Sequence, residues 1–170
     1  CTDKMDPITS YVDVSNLSEV NIYSGQEGSA YGPTIGGGID LVRTKHDFCY
    51  PGWSGSIDLG YESNGNLFTT GANIKYVHPR FFADVDFMYR DAGNYTAGKR
   101  TVVPFSQFTK YNTSVTLGAK LHAKHSLIGS FIFDNAKDVG YPALPMDVSL
   151  ARAYITTLEH TAENVNSFME

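Results

Sequence analysis

The chain has 170 residues, of which 18% are charged, and a formal net charge of −5. That length suits one domain with a real core. The absence of any basic run excludes a phosphate-tracking surface, so nucleic acid is not an expected partner. With 16 Gly, 11 Tyr and 10 Phe the composition favours sheet over a helical bundle. No apolar stretch approaches the roughly 18 to 20 residues of a membrane helix, which leaves strands as the only means of crossing a bilayer.

Residues 1–17 read as a polar, flexible leader. Cys1, followed by Thr2-Asp3-Lys4-Met5-Asp6-Pro7, resembles the start of a mature bacterial lipoprotein, and that resemblance implies a lipid on Cys1. Two other readings stay open: a chain boundary that happens to fall at Cys, or a Cys1–Cys49 disulfide in an oxidising compartment. Val20–Tyr23 is a short strand before the turn-like Ser24-Gly25-Gln26-Glu27-Gly28. A second strand lies within Thr34–Arg43, with Ile35, Ile39 and Leu41 facing one way and Gly36, Gly38 and Asp40 the other.

The clearest alternation runs over Trp53–Tyr61, where Trp53, Ile57, Leu59 and Tyr61 share one face and Ser54, Ser56, Asp58 and Gly60 the other. Asn64-Gly65 marks a hairpin, because this pair accepts positive φ. Leu67–Val77 returns with Phe68, Ala72, Ile74 and Tyr76 on one face. A tight turn at His78-Pro79-Arg80 leads to Phe81–Arg90, again alternating. Residues 91–110 are expected as a long connection. The strand Tyr111–His122 follows, and then Leu127–Asp134, which is apolar on both faces and is expected to be covered on both sides. Asn135–Pro145 reads as a second loop. The last strand is expected over 147–156, with a helix from 157, where Thr156-Thr157-Leu158-Glu159 has capping-box spacing; the helical spacing of Leu150, Tyr154, Leu158, Ala162, Val165 and Met169 leaves a single long helix as the alternative.

These elements predict an all-β protein. An antiparallel meander of seven or eight strands over 18–156 closes into a small barrel, followed by a short C-terminal helix and tail over 157–170. Two versions differ in which face points inward. A soluble, lipocalin-like barrel puts the apolar face inside. A membrane barrel turns it to lipid and fills a narrow interior with the polar face. The polar face carries both signs of charge, and Lys75, Asp84, Asp86, Arg90, Lys120 and His122 are expected to form a paired network there. Aromatic residues near strand ends resemble an interfacial girdle. A polar tail after the last strand argues against the membrane version.

Three patterns suggest chemistry and are weak. Gly93–Lys99 has phosphate-loop spacing, but Arg100 stands where a metal-binding hydroxyl belongs. His46, Asp47 and Cys49 are zinc-type ligands without a fourth partner. His122, His125 and Ser126 resemble the His/Ser pairs of barrel-type lipid A deacylases. Those enzymes use His-x-Ser, whereas His125 and Ser126 are adjacent and alternate to opposite faces.

The reading is a non-enzymatic protein of the bacterial outer envelope, an accessory or binding subunit acting through its long loops. Tyr95, Lys99, Arg100, Phe105 and Tyr141 are the expected contact residues. No catalytic residue, metal or cofactor is expected. The partners are another envelope protein and the lipid membrane, met through the barrel or the Cys1 anchor. The location is the outer membrane, with a secreted or periplasmic protein as the alternative. A carrier of an apolar ligand and a lipid-directed esterase are the alternative functions.

Overall fold

A computed structural model describes residues 12, 17–25, 36–43, 48–142, 144 and 146–162. They fall into two units, Val12–His46 and the remainder from Asp47 onward. In the first, β1 (Leu17–Ser24) pairs antiparallel with β2 (Gly37–Arg43). Ile22 lies opposite Ile39, and both are exposed. Gly37 has φ +116, and the space of its missing side chain is taken by the Tyr23 carbonyl, so the closing end of this hairpin requires glycine.

The second unit is a six-stranded antiparallel sheet. Its strands are β3 (Gly52–Glu62), β4 (Leu67–His78), β5 (Phe81–Ala92), β8 (Phe108–His122), β9 (His125–Val139) and β10 (Val148–Ala162). The spatial order is β10-β9-β8-β5-β4-β3, a meander in which neighbours in the sheet are neighbours in the chain. The connection from β5 to β8 holds a two-residue hairpin, β6 (Thr96–Ala97) with β7 (Thr101–Val102).

Closure is the first correction. β3 and β10 are the two edges of an open sheet and do not pair with each other. Six strands fall short of the roughly eight that enclose even a side-chain-filled interior.

The C-terminal helix is the second correction. β10 continues without a break through Ala162, past the expected helix start at 157. Backbone pairing with β9 from Val148↔Val139 to Ala162↔His125 satisfies groups that a helix would otherwise have to satisfy. The Thr157 hydroxyl meets that of Ser130 across the ladder instead of capping a helix. Residues 163–170 lie outside the described residues, as does the leader apart from Val12 and Leu17.

The third correction concerns β9. Phe131 is exposed on one face while Ile132 is buried on the other, so the strand is not covered on both sides. It also runs five residues beyond Asp134, into the segment expected as a loop.

The three longer connections leave the same end of the sheet: the β3–β4 turn at 63–66, the β5–β8 connection at 93–107 and the β9–β10 connection at 140–147. The opposite end carries two tight turns, at Pro79-Arg80 between β4 and β5 and at Ala123-Lys124 between β8 and β9.

Candidate functional site: the polar face and the loop end

Alternation sorts the six strands into two faces, and burial assigns them in an unusual sense. On the inner strands the polar face is the covered one, while the edge strand β3 is exposed on both faces. Asp84, Asn112, Ser114, Thr116, Ser130 and Asp134 are all buried. The apolar face is open to its surroundings: Trp53 is 76% exposed, Ile57 78% and Leu158 74%, with Ile74, Val85, Phe87, Leu117, Phe131 and Tyr154 also exposed. A flat sheet would expose both faces alike. On the inner strands the polar groups are therefore packed together, and the apolar ones are left open.

Register shows how the polar face is paired. Asn73, Asp86 and Ser114 stand in one row across β4, β5 and β8. The Asn73 amide donates to Asp84 Oδ1 and to Asp86 Oδ1, both at 2.7 Å, and the Ser114 hydroxyl donates to Asp86 Oδ2 at 3.2 Å. One row nearer the loop end, the Asn112 amide donates to Asp134 Oδ1 at 2.8 Å, and Lys110 Nζ lies 3.2 Å from the same oxygen. Each buried carboxylate therefore meets donors from a neighbouring strand, as a low-dielectric site requires. Toward the tight-turn end the face becomes apolar. The Phe82 ring covers Gly118 and packs on Phe48, with centroids 5.3 Å apart, and Lys120 Nζ sits 4.8 Å from the Phe48 ring centre.

The expected network is thus split. Asp84 and Asp86 join through Asn73. Lys75 stands opposite Asp84 in register, and Arg90 opposite Lys110, on the same face. Lys120 turns to Phe48, and His122 is exposed at the tight-turn end, beside His125. Sequence reading counted Asp134 among the polar-face charges but missed Asn73 and Asn112 as the connecting groups. Their alternation with apolar neighbours was the available signal, but it does not say which strand lies opposite.

The loop end is stitched together. Asn64 Oδ1 accepts from the Thr96 amide at 2.7 Å while Asn64 Nδ2 donates to the Thr96 carbonyl at 3.1 Å. Gly93 N–H donates to the Gly65 carbonyl, Ser106 N–H to Asn94 Oδ1, and Gly140 N–H to the Gln107 carbonyl. Lys99, Arg100 and Phe105 adopt positive φ, and they and Tyr95 are exposed; Tyr141 is half-buried. All five expected contact residues therefore lie at this end.

Among the described residues no group of three or more His, Cys, Asp or Glu is placed to hold a metal ion. His46, Asp47 and Cys1 lie outside the described residues, and Cys49 is exposed. His125 and Ser126 alternate to opposite faces of β9, and the His125 ring is engaged with His160 of β10. The exposed apolar face is the reverse of what a carrier with an apolar interior needs.

These features define an open-edged antiparallel wall, polar where it is covered and apolar where it is open. No family model and no curated protein matches the chain. Among solved structures it is similar to one titled "Copper transporter OprC", with a TM-score of 0.88 and 20% sequence identity over 98% of this chain. The chain spans about a quarter (26%) of the length of that protein. At this identity the likeness establishes the fold: all-β, antiparallel and of a barrel-wall type.

Proposed function

We propose that this chain is part of the wall of a bacterial outer-membrane β-barrel larger than the six strands described, and that it serves transport rather than catalysis. The observation that carries this reading is the inverted burial of the inner strands, with Ile74, Val85, Phe87, Leu117 and Phe131 exposed while Asp84, Asn112 and Asp134 are covered. Exposing so large an apolar face to water would be unfavourable, and lipid removes that penalty.

Further features agree with the assignment. Strands of 11 to 15 residues, tilted as in such barrels, cross roughly 25 to 40 Å, enough to span an apolar bilayer core of roughly 25 to 30 Å. Aromatic residues sit toward both limits of the apolar face: Trp53, Tyr76 and Phe81 at one, Tyr61, Phe68 and Tyr89 at the other. Long loops at one end and tight turns at the other match the extracellular and periplasmic ends of outer-membrane barrels. The open edges at β3 and β10, and the small share of the transporter's length that is matched, support a wall continued by further strands.

This wall-forming role takes the place of the accessory-subunit reading. The loop end, with Tyr95, Lys99, Arg100, Phe105 and Tyr141, is the surface offered to an outside partner. Membrane fractionation tests the proposal. The protein is expected in the outer-membrane fraction, resistant to alkaline extraction, soluble only with detergent, and slower on gels after boiling or faster, but not unchanged. Recovery in the aqueous phase without detergent would overturn it.

A further inference from the structure

Three of the five histidines of the chain meet at the tight-turn end of the sheet, on three adjacent strands: His122 ends β8, His125 begins β9 and His160 lies near the end of β10. All three are exposed. The His125–His160 pair has a specific geometry. His125 Nδ1 lies 3.1 Å from His160 Nε2, the ring centroids are 5.2 Å apart, and the ring planes differ by 13°. Each ring nitrogen sits about 1.1 Å from its own centroid. The two nitrogens therefore lie nearly on the line between the centroids. The rings are close to coplanar and point head to head, one lone pair toward the other nitrogen, instead of stacking face on face.

From this arrangement we infer a copper-binding site whose two protein ligands are His125 Nδ1 and His160 Nε2. The choice of ion follows from the angle at the metal. Two imidazoles that meet head to head demand a nitrogen–metal–nitrogen angle near 180°. Tetragonal copper(II) accepts ligands in trans positions at that angle, with solvent filling the rest of the plane, and it binds nitrogen more tightly than nickel(II), which shares that geometry. A tetrahedral zinc site does not. Nitrogen–metal bonds of about 2 Å set an in-line separation of roughly 4 Å, so the pair must open by about 1 Å. Both side chains are exposed, and His125 adjoins the Ala123-Lys124 turn, so the opening disturbs no buried packing. The ring that now donates the N–H carries its proton on its other nitrogen once copper is bound. His122, with its ring centroid 6.4 Å from that of His125, stands outside the in-line pair.

The probe is copper(II) added to the detergent-solubilised chain carrying Cys1→Ser and Cys49→Ser, which removes competing thiols. Electron paramagnetic resonance is expected to show a tetragonal signal coupled to two equivalent imidazole nitrogens, with one copper bound per chain. His125→Gln and His160→Gln should each abolish the two-nitrogen pattern and weaken binding at least tenfold, while His122→Gln leaves both within about twofold. Circular dichroism of each variant should keep the strand signature, which separates loss of ligand from loss of fold. Coupling to a single nitrogen, or a two-nitrogen signal that survives His160→Gln, would overturn the inference. The outcome does not depend on where the protein resides, so it can fail while the membrane assignment stands.

Discussion

Phe82 on β5 lies over Gly118 on β8, and its ring occupies the volume that any side chain at position 118 would need. The two are register partners on the polar face, and Phe82 is 1% exposed. The glycine is thus a packing requirement, with an aromatic ring on one strand covering the bare backbone of the next. Gly118→Ala should destabilise the fold by about 1 to 3 kcal/mol through overpacking. Phe82→Leu in the same chain should recover part of that loss. Unfolding by denaturant in detergent, run as a double-mutant cycle, measures the coupling. Additive effects would mean that the ring does not press on position 118.

Asn73 is the common donor to two carboxylates, Asp84 and Asp86, which share a face of β5 two residues apart. Two like charges this close need a donor between them in a partly desolvated setting. Asn73→Ala should cost about 2 kcal/mol, on the scale of a hydrogen bond to a charged group. Asn73→Asp should cost more, because it adds a third carboxylate. Equal losses in the two variants, read from equilibrium unfolding, would show that the bridge is not electrostatic.

Asp134 is 3% exposed and receives both the Asn112 amide and Lys110. Removing one member of a buried ion pair typically costs about 3 to 5 kcal/mol, chiefly through the charge left behind. Lys110 keeps some contact with solvent, so Asp134→Ala should fall toward the lower end of that range. Asp134→Asn, which retains an acceptor for Asn112, should lose less. Thermal unfolding of the two variants side by side gives the order.

The alternation that sequence reading found in β4, β5 and β8 is also an alternation of burial, because two different surrounds impose a period of two, whereas β3 alternates in residue type but is exposed on both faces. The end of β9 was hidden for the converse reason. Asn135, Ala136, Lys137 and Asp138 look like a turn, yet Asn135 and Lys137 are held between Tyr111 and Thr109 of β8 on one side and Arg152 and Leu150 of β10 on the other. A central strand can follow its neighbours without a pattern of its own. The capping-box residues at 156–159 misled in a similar way, since local spacing cannot report the ladder supplied by β9. Nor could alternation decide which face is covered or whether the wall closes. Those depend on curvature and strand number, which the residues of a single strand do not encode. The bonds among Asn73, Asp84 and Asp86, and between Asn112 and Asp134, were illegible until register aligned four strands.

Asn64 holds the Thr96 backbone by donating and accepting at once, which ties the β3–β4 turn to the β5–β8 connection. Both groups are exposed, so the clamp adds little to global stability and acts on local opening. Asn64→Ala should raise the rate of protease cleavage within 93–107 several-fold while leaving the denaturant midpoint of the sheet within about 0.5 kcal/mol. Unchanged cleavage would mean that the Gly93–Gly65 and Ser106–Asn94 bonds suffice to hold the loop.

The membrane assignment makes a depth-dependent prediction on the apolar face. Ile74, Val85, Val115 and Phe131 form one row across β4, β5, β8 and β9, inside the aromatic limits, while Tyr61 and Phe68 pair at the loop-end limit. In lipid, arginine at the inner row should destabilise the fold by about 2 to 4 kcal/mol, and at the limiting row by about 1 kcal/mol or less. Val85→Arg and Phe131→Arg against Tyr61→Arg and Phe68→Arg, refolded into vesicles and unfolded with denaturant, give the profile. If the apolar face met water, charge would be tolerated at every height. A flat profile across the four variants would therefore remove lipid as the surround of this face, and a peak at the inner row would place the bilayer core on it.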